Sequence, residues 1–411
     1  MSDKVEVLIA GGGIAGSCLA WWLNKRVNAN ITIIERAPEP RTSGQAVDIR
    51  DAAVDIIRRM GLEEVIQSKH TTEEGIAFIG PNGETKASFP SSVDSNKQAL
   101  TSEYEILRGD LAHIFFDATK DIVDYVFDER VADLKQQSSG KVLVTFANHL
   151  PEKEYDLVVG ADGMISQVRR ILFGKGPQEN DYLKRLGQYI AFFTIPKIES
   201  DTRWAKWYSA PKGRLILLRP SQYEDTRAYL TVTDGNLSRF AEIDEAMKQG
   251  PDAQMDWFEN EFKDVGWQAN RVLEGMRTAN DLYISTIAQV KIEKFVSGSV
   301  ALLGDAGYAP SPITGKARAY VLAGEISKSP SDVPAALERY QSVFRVAVDQ
   351  VQSLPPGAPQ IVNPQTEWGI KVLSSFLGVV SSGWIRSLAS KVSSVLPDRR
   401  WNPPEYTTFS T

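Results

Sequence analysis

The run Val5-Glu6-Val7-Leu8-Ile9-Ala10-Gly11-Gly12-Gly13-Ile14-Ala15-Gly16 decides how this chain begins. A mostly apolar stretch ends at a glycine cluster, and Ile14 to Lys25 then carries a helical pattern. That is the strand–turn–helix context a dinucleotide-binding turn requires. Glycines at 11 and 13 let the backbone turn tightly and approach a pyrophosphate, while Gly16 lets helix and strand pack closely. The helix start adds free N–H groups and a positive dipole end for the phosphates. A second apolar run, Ile31 to Ile34, ends at Glu35, nineteen residues beyond Gly16. A carboxylate there accepts both hydroxyls of an adenosine ribose and repels a 2′-phosphate, which points to FAD or NAD rather than NADP.

Two motifs farther along choose between these nucleotides. One is Tyr155-Asp156-Leu157-Val158-Val159-Gly160-Ala161-Asp162-Gly163, followed by Ser166 and Arg169; the other is Val300 to Asp305, ending in Gly304-Asp305-Ala306. Arg108 stands in a third block, Ile106-Leu107-Arg108-Gly109-Asp110-Leu111. In this order the motifs resemble those of the flavoprotein aromatic hydroxylases, single-component FAD monooxygenases with the para-hydroxybenzoate hydroxylase type of fold. The resemblance runs from Val5 to about Pro364.

It implies an α/β protein: a Rossmann-like FAD-binding domain with the GxGxxG turn, interleaved with a β-sheet substrate domain and followed by C-terminal helices. FAD contacts are expected from Gly11, Gly13, Ala15, Gly16, Glu35, Arg36, Arg108, Asp162, Gly163, Gly304, Asp305 and Gly315. By resemblance, the Asp305 carboxylate holds a ribitol hydroxyl and Arg108 lies near the flavin nucleotide. FAD is then tightly bound, and NAD(P)H is a transient reductant. The reaction implied is hydroxylation of an aromatic or polyketide-like small molecule with O2, through a flavin C4a-hydroperoxide. The cofactor carries that chemistry. No Ser/His/Asp triad or carboxylate pair with a persuasive context is present, and no side chain is assigned as catalytic.

Bulk properties narrow the field. A chain of 411 residues has room for two domains. A net charge of −6 argues against nucleic acid as a partner. Cys18 is the only cysteine, which excludes an internal disulfide and fits a cytoplasmic protein. In the first turns of the dinucleotide helix it reads as a small packing residue rather than a reactive thiol. Three scattered histidines and no cysteine cluster leave no metal site to expect. No signal peptide or run of eighteen apolar residues is found, so no stable membrane insertion is expected. The chain is read as a monomer or homodimer.

Periodicity suggests a path that weaves between domains. Residues 1–75, 101–180 and 282–355 are assigned to the FAD-binding domain, 76–100 and 181–281 to the substrate sheet, and 356–411 to a C-terminal helical segment. Within these, Asp51 to Met60 reads as a helix, and Pro81-Asn82-Gly83 as the turn of a hairpin. Strands are expected at 188–195, 204–208, 214–218 and 227–233, helices over 239–277, and a last strand at 282–292 leading back to Gly304-Asp305. Glu338 to Ser353 reads as the final helix of the main body. Gly369 to Leu396 reads as a C-terminal helix packing across the domains in preference to a membrane-surface helix.

Phe192, Phe193, Trp204, Trp207 and Tyr208 are expected mainly in the core, with one or two facing a substrate cavity. Arg214 and Arg219 are read as solvated strand ends.

One departure from the family pattern stands out. Between Gly315 and Ala319-Tyr320-Val321-Leu322 the chain has only Lys316, Ala317 and Arg318, where family members carry a longer segment opening with small residues. Losing about six helical residues removes ~9 Å. Either the helix starts later and the loop stretches, or the flavin site is impaired, which keeps a non-catalytic FAD-binding paralogue as an alternative. Lys316 is a candidate to restore positive charge near the ring. A flavin-dependent halogenase is a further alternative, but Trp204-Ala205-Lys206-Trp207 does not match its Trp-rich signature.

Overall fold

The computed structural model describes residues 4–41, 44–50, 52–91, 104–176, 181–309, 318–353, 357–381 and 401–409. The apolar runs at Val5–Ala10, Leu157–Gly160 and Val300–Leu302 pair side by side in parallel, with Ile9 opposite Val159 and Val159 opposite Ala301. Buried residues dominate all three, as a sheet covered on both faces demands. Ala29–Glu35 and Asp124–Phe127 extend the sheet on one side and Val296–Ser297 on the other. The dinucleotide helix, Ile14–Arg26, packs against the helix Arg318–Lys328, and the Trp22 ring meets Tyr320 edge-on at 4.9 Å.

A second, seven-stranded sheet has the spatial order 283–290, 183–196, 225–233, 214–220, 204–210, 75–79, 85–90. All neighbours are antiparallel except Trp204–Ala210 and Gly75–Ile79, which run parallel. Successive side chains on a strand face opposite ways, so each strand contributes to two surfaces. Phe193, Tyr208, Ile216, Leu218 and Leu230 point into a core closed by the helices Ala241–Gln249, Pro251–Phe262 and Ala269–Thr278. In register across the other face stand Phe78, Trp207, Leu217, Tyr229, Phe192 and Tyr283. The expected aromatic set therefore divides by strand parity: Phe193 and Tyr208 are core, while Phe192 and Trp207 share the opposite face.

Several expectations change. The strand Tyr283–Val290, assigned to the FAD-binding domain, pairs with Leu183–Pro196 in the seven-stranded sheet. The last helix of the main body starts at Val333, five residues earlier than read, because Asp332 caps it by accepting the Ala335 N–H at 3.2 Å and Pro334 sits in its first turn. After Gly304 one helical turn, Asp305–Tyr308, forms, and residues 310–317 lie outside the described residues. Arg214 and Arg219 are both taken out of water rather than solvated.

At the C-terminus, the helix Glu367–Ser381 lies against the strands Thr85–Pro90 and Trp204–Ala210, with Trp368, Val372, Phe376 and Val379 exposed. The rest of the stretch read as helical, 382–396, lies outside the described residues. The tail is not a separate segment: Tyr406 and Phe409 are buried against Trp22 and Tyr320. Among the described residues, no helix is long and apolar enough to cross a membrane.

Candidate active site

The ends of Val5–Ala10, Leu157–Gly160 and Val300–Leu302 lie side by side, so the loops that follow them meet at one edge of the parallel sheet. The chain leaves Val5–Ala10 for Ala29–Glu35 on one side, and after Leu157–Gly160 it returns to the sheet at Val296–Ser297 and Val300–Leu302 on the other, making a crevice of the kind where open α/β sheets bind ligands. Gly11 has φ +119°, and a Cβ on it would lie 2.4 Å from the Ala161 carbonyl oxygen. A Cβ on Gly16 would lie 2.0 Å from the Gly11 oxygen. These two glycines are required by the turn itself. Gly13, which precedes the helix, has nothing within 4 Å of its Cβ position, so its backbone faces open space, as a phosphate cradle requires. Glu35 accepts the Gly12 N–H and the Ala37 N–H, each at 3.0 Å and each on a different oxygen. It holds the glycine loop and keeps a lone pair on each oxygen for a further donor. Arg36, the next residue, is exposed.

Asp162 and Gly163 play unlike parts. The Asp162 carboxylate accepts the Ser166 hydroxyl at 2.5 Å and the N–H groups of Gln167 and Val168 at 2.7 and 3.1 Å. It is spent on starting the helix Gln167–Phe173. Burial pushes its pKa up, and these hydrogen bonds oppose the shift. Gly163 turns with φ +84° and has open space where a Cβ would be. Arg169 is buried and donates to the carbonyls of Met164 at 2.7 Å and Ala306 at 2.6 Å. Two of the sequence motifs are thereby joined by one side chain.

Gly304, at φ +67°, sits so close to the glycine turn that its Cβ would be 3.2 Å from that of Ala15. Asp305 follows, with Arg108 Nη2 3.9 Å from one carboxylate oxygen and Arg318 Nη1 3.9 Å from the other. Gly44 packs on the Arg108 stem, and the next residue, Gln45, accepts the Tyr283 hydroxyl. Tyr229 in turn accepts the Ala46 N–H at 3.1 Å. Phe192 stacks on Tyr283 with centroids 4.8 Å apart and meets Tyr229 edge-on at 4.9 Å. A continuous path of contacts thus leads from Asp305 through Arg108, Gly44 and Gln45 to the aromatic face of the second sheet. The described residues therefore bring together the glycine turn, Ala15, Glu35, Arg108, Gly163, Gly304 and Asp305. Gly315, Lys316 and Ala317 lie outside the described residues, and of the short segment only Arg318 is described.

Sequence reading missed Gln45, Tyr229 and Tyr283, whose shared surface exists only through strand register. It also missed a buried charge cluster beside them. Arg219 donates to Glu73 at 2.9 Å and pairs with Glu105, and the second Glu73 oxygen, Oε1, is buried with no partner among the described residues. Burial pushes the Glu73 carboxyl up to about 7, against the pull of Arg219 and with a further push from Glu105. Cys18 lies 4.0 Å from the Met60 sulfur, and burial pushes its thiol up to about 12, consistent with a packing residue.

Comparison with known proteins gives the family. Residues 4–317 match the family model described as "FAD binding domain". The chain is 34% identical over 395 residues to Monooxygenase CTB7 of Cercospora beticola, covering 92% of this chain and 93% of that one. It is 31% identical over 408 residues to the FAD-dependent monooxygenase asL4 of Sarocladium schorii, covering 92% and 93%. The crystal structure of tetracycline destructase Tet(51) superposes with a TM-score of 0.74 at 28% identity, covering 93% of this chain and 98% of that one.

Proposed function

The chain belongs to the FAD-binding-domain family of flavoproteins and is an FAD-dependent monooxygenase, and on that footing we propose that it hydroxylates an aromatic or polyketide-like small molecule using NAD(P)H and O2. One observation carries the substrate side of this reading: the row Trp207, Leu217, Tyr229, Phe192 and Tyr283 reaches Asp305 through Gln45 and Arg108. An apolar, π-rich surface at that place suits a flat, multi-ring substrate, which would stack on it by offset or edge contacts. The relatedness to a destructase named for tetracycline supports the same substrate class.

In this reading FAD, when bound, takes two electrons from NAD(P)H and delivers one atom of O2 to the substrate. The protein binds and orients. Gly11 and Gly13 bring the backbone close to the pyrophosphate, with Ala15 and Gly16 packing the helix behind them. Glu35 accepts ribose hydroxyls and Asp305 a ribitol hydroxyl. Arg108 contributes positive charge beside them, and Gly163 leaves its backbone open to the nucleotide. Asp162 acts on FAD only indirectly, by shaping its loop. Arg36 and Gly315 complete the cofactor set. The parallel sheet with its helices is the FAD-binding unit, and the seven-stranded sheet is the substrate unit.

The test is direct. Purified protein should be yellow and should release FAD on heating; with a phenolic or polyketide ligand it should consume NADH or NADPH faster and incorporate one atom of labelled O2 into product. Phe192→Ala should raise KM far more than it lowers kcat. Label-free product would overturn the oxygenation, and an unchanged KM would remove the aromatic face from the substrate site.

A further inference from the structure

Asp305 is held between two cations, each 3.9 Å from a different carboxylate oxygen. The two reach it from distant parts of the chain. Arg108 stands at the start of the helix Arg108–Asp117. Arg318 stands at the start of the helix Arg318–Lys328, immediately after the shortened segment. Its guanidinium carbon lies 5.0 Å from the centre of the Tyr308 ring. That ring is fully buried, and its hydroxyl accepts the Gly304 N–H at 3.3 Å and pairs with Tyr340. The Arg318 side chain is only 11% exposed, so its charge is held in one place and poorly screened by water.

Arg108 and Arg318 place two positive charges around the one carboxylate. At 3.9 Å neither contact is a hydrogen bond. The carboxylate therefore stays available to a ligand hydroxyl while the surplus positive charge remains.

We propose that Arg318 sets the electrostatic poise of the bound flavin, with Arg108 and Asp305, favouring the negatively charged reduced ring over the neutral oxidised one. This rests on the reading of Asp305 as an FAD contact. Lys316, the candidate for that charge in the sequence, lies outside the described residues; the geometry points to Arg318. Arg318 brings its side-chain charge to Asp305 from the far end of the shortened segment. Arg318 is a positioning and potential-setting residue.

Sulfite tests this without turnover, because it adds to the flavin ring and leaves negative charge on it, so its Kd reports positive charge nearby. Holoprotein should be compared with Arg318→Gln and Arg318→Lys. Arg318→Gln should retain FAD, bind sulfite on the order of tenfold more weakly and show a more negative flavin midpoint potential. Arg318→Lys should recover most of both. Wild-type sulfite affinity and potential in Arg318→Gln would overturn the proposal. So would loss of FAD in Arg318→Gln with retention in Arg318→Lys, which would make the arginine a retention residue. An Asp305→Ala protein that keeps full FAD affinity would instead overturn the underlying site assignment, whatever Arg318 does.

Discussion

Arg169 donates a 2.6 Å hydrogen bond to the carbonyl of Ala306, 137 residues along the chain, and so fixes the Asp162-Gly163 loop against the Gly304-Asp305 turn. Burial depresses its pKa, yet it stays charged at any working pH.

Arg169→Met should therefore damage both fold and site. It leaves the carbonyls of Met164 and Ala306 unsatisfied in the interior, a loss of about 2–4 kcal/mol. Thermal unfolding of the apo-protein should show a lowered Tm, and fluorescence titration should show weaker FAD binding. Weaker FAD binding at an unchanged Tm would mean that Arg169 serves the ligand and not the frame.

Asp305→Ala should do the reverse. The carboxylate is part-exposed and its two ion pairs are long, so the apo-protein should unfold within about 0.5 kcal/mol of wild type. FAD affinity should drop at least about tenfold, because a bonded hydroxyl loses its charged acceptor. A parallel loss of apo stability would mark Asp305 as a structural turn residue.

Glu129 offers a pH-dependent test of a buried carboxylate. Burial alone would raise its pKa, but N–H groups of His149, Leu150, Arg130 and Asn148 all donate to it and bring it down to about 2. Because the folded value lies below the unfolded one, its stabilisation is complete above about pH 5 and fades as the pH falls towards 2. Glu129→Gln should cost about 1–3 kcal/mol near neutrality. The gap to wild type should close in acid, as read by urea unfolding at pH 7 and pH 3.

Glu73 should behave with the opposite sign. Its carboxyl is pushed up to about 7 by burial, so the folded state holds a proton that the unfolded chain loses from about pH 4.5 upward. Stability attributable to this group declines as pH rises through that window, and the full penalty applies above pH 7. Glu73→Gln should raise Tm at pH 8 and leave it nearly unchanged at pH 4, with Glu105 still neutralising Arg219. A lower Tm at pH 8 would show that the Glu73–Arg219 ion pair outweighs the burial penalty.

Much of the nucleotide half was legible in the amino-acid order, because its determinants are local. Gly16 must be glycine since a Cβ would strike the Gly11 carbonyl in the same turn, Gly11 turns with a positive φ, and the apolar runs of a doubly covered sheet need no partner to be recognised. Strand, turn, helix and Glu35 follow each other within a few dozen residues, and each constrains the next. Tertiary structure alone decided the rest. Phe192 and Phe193 differ by one position, yet one faces Tyr283 and the other the helical core, because strand register sets the face and register is a relation between segments. Arg219 reads as a solvated strand end until Glu73 and Glu105 are folded onto it. Arg318 becomes a partner of Asp305 only when the chain returns to the same crevice. Conformational constraint is written residue by residue, whereas electrostatic environment is a sum over neighbours that only the fold assembles.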